Sequence, residues 1–168
     1  GVTESGAGRG KRHYVLMNPF KGPTPAVLSL LENAVLSGLR TTVYTQSRKM
    51  TELIAVWAGQ RDQEFKRRIR AYRAGLLPGD RREIESQLLS GELMAVVATS
   101  ALELGIDIGD LDVCILVGYP GSIMATLQRA GRVGRKSRDS AVFLVAHEDA
   151  LDQYLMRYPN ALFSSPPE

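Results

Sequence analysis

Residues 128–135 read Gln-Arg-Ala-Gly-Arg-Val-Gly-Arg, which sets Arg132 and Arg135 three positions apart, each directly after a glycine. Guanidinium forks at that spacing can converge on one polyphosphate, and glycine lets the backbone approach a ligand or a facing surface closely. A cation so placed can stabilise the charge that develops on a transferring phosphoryl group, as an arginine finger does. The same residue types also suit a solvated loop that makes general anion contacts. The choice between these readings depends on the neighbouring segments.

Upstream, residues 99–107 read Thr-Ser-Ala-Leu-Glu-Leu-Gly-Ile-Asp, directly after the apolar run at 94–98. This pattern predicts a buried strand, a short helical turn, then Gly105 and the acidic Asp107 at the mouth of a loop. In an open parallel sheet, ligands bind outside the carboxyl ends of the strands. Thr99 stands where the strand stops, so its hydroxyl is placed for a phosphate, and Asp107 for the hydroxyls of a ribose. The plainer alternative is that Thr99 and Ser100 cap the short helix and Asp107 caps a turn.

The elements that must position these residues alternate along the chain. Strands are expected near 13–17, 41–45, 70–72, 94–98, 113–117 and 141–146. Helices are expected at 25–38, 48–60, 63–70, 80–90, 122–131 and 148–158. Apolar strands with little alternation imply an α/β fold, a mostly parallel sheet with helices on both faces. Residues 13–160 are expected to form one domain, preceded by a glycine-rich linker at 1–12 and followed by an exit segment at 161–168. A chain of 168 residues that is 44% hydrophobic can build one sizeable core, and contains no apolar run long enough for a transmembrane helix. No secretory signal is read at the start, so a cytoplasmic location is expected.

Charge is mildly basic, at +3, and the segment 61–85 carries eight basic and five acidic residues, a surplus equal to that of the whole chain. Arg67, Arg68 and Arg70 there are read as a solvated helix face. Better nucleic-acid contacts are the residues directly after strands: Ser47 and Arg48, Arg73 to Gly75, and Thr99. All would open on one edge of a parallel sheet, where backbone amides and hydroxyls can follow a sugar-phosphate strand without reading bases. Cys114, the one cysteine, lies in an apolar run and is read as core. His13 and His147 are far apart in sequence, and no metal site is expected. Trp57, at helical spacing with Leu53, Ile54 and Ala58, is read as core or as a contact with another domain.

Residues 99–107 together with 128–135 resemble motifs V and VI of superfamily 2 helicases, relatives of the DEAD/DEAH-box enzymes. Further stretches narrow the resemblance: His13 to Pro19, Tyr72 to Gly75 with Arg81 to Glu85, Gly118 to Gly121, and Asp152 to Leu155 ahead of Tyr158 and Pro159. Together they look like the MrfA/YprA-type DNA helicases, bacterial kin of the Hrq group, over nearly the whole chain from Gly10.

The resemblance implies a RecA-like helicase C-terminal domain, the second of two that enclose ATP and Mg2+. It places Thr45 to Arg48 on motif IV, Tyr72 to Gly75 on an adjoining strand-loop contact, and Thr99 on the phosphate-contacting threonine of motif V. Gly105 and Asp107 fall at its nucleotide-facing end. Gln128 couples nucleotide to domain closure, and Arg132 and Arg135 face the γ-phosphate. The implied partners are a first RecA-like domain of the same polypeptide and single-stranded or partly duplex DNA. Movement from 3′ to 5′ and a role in genome maintenance are implied too. The glutamine at 128, where RNA-directed relatives usually carry histidine, tilts the substrate toward DNA.

No phosphate loop of the form G-x-x-x-x-G-K-[ST] occurs in the sequence, nor an Asp-Glu pair after an apolar strand. The stretch at 6–11 imitates the former, but position 5 is Ser5, Lys11 is followed by Arg12, and no apolar strand precedes it. The chain is therefore expected to be half of a motor and inactive alone. Two rival readings are a non-catalytic module whose arginines serve only as phosphate contacts, and a helicase-like interaction scaffold.

Overall fold

The computed structural model describes residues 2–3, 11–72, 77–98, 111–119, 121 and 139–164. Along the chain these give β1 (Val2–Thr3), β2 (Arg12–Met17), α1 (Pro23–Leu36), β3 (Thr41–Thr45), α2 (Arg48–Gly59), α3 (Gln63–Lys66) and β4 (Ile69–Tyr72). There follow α4 (Pro78–Ser90), β5 (Ala95–Ala98), β6 (Val113–Val117), β7 (Ser140–Val145), α5 (Ala150–Arg157) and α6 (Asn160–Ser164). The sheet order is β1-β2-β7-β6-β3-β5-β4. Every neighbouring pair from β2 to β4 is parallel, and only β1 runs antiparallel, on the β2 edge.

Alternation along the strands divides the core into two layers. Tyr44, Tyr72, Val96, Ala98, Cys114, Leu116, Val142 and Leu144 share one face with Ile84 and Leu88 of α4, Leu155 of α5 and Leu162 of α6. Val43, Ala95, Val97, Val113, Ile115, Val117 and Val145 share the other with Val27, Leu31 and Val35 of α1, Met50 and Ile54 of α2, and Phe65 of α3. Because both faces are covered, the inner strands are apolar on both sides, as their unalternating sequences require. The result is the α/β, RecA-like architecture expected from the sequence: six parallel strands with helices on both faces.

Helix boundaries follow local chemistry. The Ser47 Oγ accepts the Met50 N–H at 3.1 Å and starts α2, whose buried stripe is Met50, Ile54 and Ala58 at helical spacing. α4 opens on Pro78, which has no N–H to leave unpaired, and closes at Gly91, whose φ of 86° is the left-handed geometry of a helix C-terminus.

Three segments depart from the expected boundaries. The helix anticipated over 63–70 is a single turn, because the Arg68 carbonyl accepts the Met94 and Ala95 N–H groups and Ile69 onward pairs with β5. Sheet pairing overrides the helical propensity of that charged run. Within the span anticipated as a linker, Val2 and Thr3 pair with His13 and Arg12, and Arg12 is the first residue of β2. Past residue 160, Leu162 packs into the core cluster.

Candidate nucleic-acid and nucleotide interface

Strand register makes the carboxyl edge of the sheet level. Met17, Val145, Val117 and Thr45 stand side by side across β2, β7, β6 and β3, and Tyr44, Ala98 and Tyr72 align across β3, β5 and β4. The last residues of these strands therefore stand along one line. Of the residues expected to contact nucleic acid, Ser47 and Arg48 follow directly on this line, Ser47 as the cap between β3 and α2 and Arg48 as the first residue of α2. Arg73, Gly75 and Thr99 lie outside the described residues, as do the expected nucleotide residues Gly105, Asp107, Gln128, Arg132 and Arg135 and the helix anticipated at 122–131.

The β3–α2 turn is tightly built. Buried Thr45 accepts the Ser47 N–H on its Oγ1 at 3.1 Å, Ser47 caps α2, and Thr51 Oγ1 donates to the Ser47 carbonyl at 3.2 Å. Arg48 and Lys49 are exposed in the first turn of the helix. Their charges add to the positive end of the helix dipole, an arrangement that favours anions. The Ser47 hydroxyl oxygen is thus used by the helix as an acceptor.

Two strands further along the same edge, at the end of β4, Tyr72 is buried and its hydroxyl accepts the Arg81 Nε–H at 2.7 Å, with the guanidinium 5.7 Å from the ring centroid. This holds a second basic side chain, from the first turns of α4, near the same edge. The basic run before β4 behaves differently. Arg67 and Arg68 pair with Glu64, and Arg70 with Glu83, at the amino edge. A groove of about 500 Å3 lined by Glu32, Arg61, Phe65 and Arg68 includes neither Ser47 nor Arg48. Trp57 packs edge-on against Phe65 at 5.4 Å with Arg61 over its ring, so its indole is engaged within the domain.

On the other half of the edge the structure reveals a residue that sequence reasoning left without a role. Asp152 is 4% exposed, and its carboxylate accepts the Tyr119 N–H at 3.0 Å and the His147 N–H at 2.8 Å. Next to it, Gln153 exchanges two amide hydrogen bonds with Asn18, at 2.9 and 3.0 Å, and donates to the His147 carbonyl at 2.8 Å. One turn of α5 thereby ties together the segments that follow β2, β6 and β7. Gly118 is part of this junction: a Cβ there would lie 2.5 Å from the His147 ring, and its φ is 82°. The available signal was the spacing Asp149-x-x-Asp152, since Asp149 Oδ1 accepts the Asp152 N–H and caps α5. That spacing announces a helix start but not the loops its second carboxylate serves.

Cys114 stands in the core, as its sequence context suggested. Cys114 is fully buried, and desolvation pushes its thiol up to about 12, slightly opposed by the charge of Arg12. His13 lies on β2 with its Nε2 3.3 Å from Asp139 Oδ2, and Asp139 also accepts the Lys11 N–H at 2.9 Å. Among the described residues no group of three or more His, Cys, Asp or Glu side chains is placed to hold a metal ion. No helix among them is long and apolar enough to cross a membrane.

Comparison with known proteins gives this edge a context. Residues 25–137 match the helicase conserved C-terminal domain. Relatives include the uncharacterized ATP-dependent helicase YprA of Bacillus subtilis, 38% identical over 99% of this chain and 24% of its own length. The ATP-dependent helicase HRQ1 of Saccharomyces cerevisiae is 31% identical over 96% of this chain and 16% of its own. Among solved structures, the DUF1998 helicase MrfA bound to DNA and AMPPNP superposes with a TM-score of 0.83 at 38% identity, over 99% of this chain and 24% of that one. The C-terminal domain of the DEAD-box protein Dbp5 shares the fold alone, with a TM-score of 0.64 at 15% identity over 92% of this chain and 87% of that one. The chain thus spans about a quarter or less of the length of the curated relatives named. With its RecA-like sheet and a match running from Pro25 to Ser137, the chain belongs to the helicase conserved C-terminal domain family, within superfamily 2.

Proposed function

We propose that this chain is the C-terminal motor domain of an ATP-dependent DNA helicase or translocase. In this reading it supplies arginine fingers to an inter-domain ATP site and a backbone-binding edge to single-stranded DNA. The observation that carries the proposal is the level carboxyl edge, with Ser47 and Arg48 on it, in a chain that aligns over 99% of its length with a helicase solved with DNA and AMPPNP. ATP with Mg2+ would supply the phosphoryl group and the charge-neutralising cation, held chiefly by a first RecA-like domain of the same polypeptide.

Within this chain, Gly105, Asp107 and Gln128 are assigned to the nucleotide, and Arg132 and Arg135 to the γ-phosphate. Arg48, Arg73 and the groups at Ser47, Gly75 and Thr99 are assigned to phosphates of the DNA strand. Contacts of this kind position a strand and carry no sequence information. Alternating closure and opening of the cleft would convert hydrolysis into steps along the strand.

The test is steady-state ATP hydrolysis by the full-length enzyme with saturating single-stranded DNA. If the fingers act only when the cleft closes, Arg132→Ala and Arg135→Ala should each lower kcat by about a thousandfold, about 4 kcal/mol of barrier, with little change in nucleotide affinity. Lysine at either position should rescue poorly, because an ammonium keeps the charge but not the planar fork. Arg138→Ala, outside the motif, should do little. Near-normal turnover in both alanine variants would put the non-catalytic binding module in front.

A further inference from the structure

We infer that Asp152 is a positioning residue for the arginine-bearing segment, acting through the backbone of Tyr119. The inference rests on the assignment of Arg132 and Arg135 as fingers, and concerns how their segment is launched from the sheet. The chain leaves β6 at Val117, turns through Gly118 and Tyr119, and reaches Gln128 nine residues later. In that stretch the Tyr119 N–H is a backbone donor fixed from outside its own loop. What fixes it is a single buried carboxylate oxygen, Oδ1 of Asp152, at 3.0 Å.

The rest of the junction holds that carboxylate rigid. Its second oxygen is occupied by the His147 N–H, and its own N–H is bound by the Asp149 cap. As third residue of α5 it also lies in the favourable field of the helix N-terminus. Gly118 leaves no slack on the loop side, since the His147 ring fills the space a side chain would need. On the far side, the Gln153–Asn18 amide pair and the Gln153 bond to the His147 carbonyl fix the same turn of α5 to the segment after β2. Purely structural acids on a helix are ordinarily solvated, and burying one is costly unless every lone pair it presents is used. Here the burial is matched by loop N–H groups on one edge of the sheet, where the proposed chemistry takes place.

A positioning role predicts a particular kinetic pattern. Asp152→Asn is nearly isosteric, but one of the two loop N–H groups must then face an amide NH2 in place of an acceptor. Relaxation of the Tyr119 turn would misplace groups needed only at the transition state, and misplacement by about 1 Å costs up to about a hundredfold in rate. In the full-length enzyme, Asp152→Asn should lower DNA-stimulated kcat by about tenfold to a hundredfold, with KM for ATP and affinity for single-stranded DNA within about twofold of wild type. Leu162→Ala is the control for stability alone. It empties a buried core site without touching the hydrogen bonds of the junction, and should lower the melting temperature while leaving kcat unchanged below the melt.

Gly118→Ala asks the same question from the loop side, since its Cβ would displace the His147 ring, and should give the same split between kcat and KM. It also decides the matter if Asp152→Asn fails to fold. Wild-type kcat in a folded Asp152→Asn or Gly118→Ala enzyme, or a kcat loss in Leu162→Ala equal to theirs, overturns the inference. The arginine variants separate this from failure of the parent reading. If Arg132→Ala and Arg135→Ala turn over normally, the finger assignment fails; if they are crippled while Asp152→Asn is not, only the positioning role fails.

Discussion

At the scale of single residues, the groups with the plainest sequence signal have the simplest environments. Cys114 was legible as core because it sits inside an uninterrupted apolar strand, and its complete burial has a measurable pH consequence. Its thiol is pushed up to about 12 from an ordinary value of 9.0, with desolvation the main cause. Below about pH 9 both folded and unfolded chains keep the proton, so the group does not alter stability there. As pH rises further the unfolded thiol ionises first, and stability falls until the folded value is reached. By pH 10.5 the loss should be about 2 kcal/mol. Urea unfolding of wild type and Cys114→Ala at pH 8 and pH 10.5 isolates it, because lysines and tyrosines titrate in both proteins. At pH 8 the alanine variant should be less stable by about 1 kcal/mol for its lost packing, and at pH 10.5 the order should reverse. A gap that does not change with pH would exclude the burial effect. Asp152 is the opposite case. Its role depends on loops 33 and 5 residues away in sequence, and nothing in its immediate neighbours announces them.

At the scale of elements, the strands were legible because burial on both faces removes alternation and leaves unbroken apolar runs such as Val113–Val117. Two capped helix starts were legible too: α2 begins at Arg48, behind Ser47, and α3 at Gln63, behind Asp62, as anticipated. Segments whose form depends on a distant partner were not. Residues 67–70 carry the charge pattern of a helix face and become a turn and a strand because β5 offers them pairing, while Val2 and Thr3 gain order from the free edge of β2. The β3–α2 junction invites a test that separates its two roles. Ser47→Ala removes the cap and should destabilise the domain by about 1 kcal/mol. Ser47→Asp keeps a capping oxygen in the favourable end of the helix dipole, so it should remain within about 0.5 kcal/mol of wild type. For single-stranded DNA the order should reverse, because a carboxylate at the edge repels phosphate and the missing hydroxyl only forfeits one bond. Denaturant unfolding and fluorescence anisotropy on the two variants read both quantities. Equal DNA affinity for wild type and Ser47→Asp would remove Ser47 from the interface.

At the scale of the whole molecule, a two-layered core around six parallel strands gives the domain a hydrophobic interior of its own, while the proposed chemistry needs a second domain. The isolated chain should therefore fold and yet hydrolyse no ATP above background, because it carries no phosphate loop or Asp-Glu motif. Its DNA binding should be weak, since one edge can neutralise few phosphates. Arg48 and Arg73 are the cations assigned to the strand, and counterion release from a single strand gives a slope of about −0.7 per neutralised phosphate in a plot of log K against log salt. Two such contacts predict a slope of about −1.4, falling to about −0.7 in Arg48→Ala or Arg73→Ala. Changing Arg67, which pairs with Glu64 at the opposite edge, should leave the slope unaltered. Because phosphate contacts do not read bases, oligonucleotides of different sequence should bind alike. Anisotropy titrations from low to physiological salt on the wild type and the three variants would measure all of this at once. A slope unmoved by Arg48 and Arg73 but lowered at Arg67 would transfer the strand to the amino edge and overturn the interface proposed here.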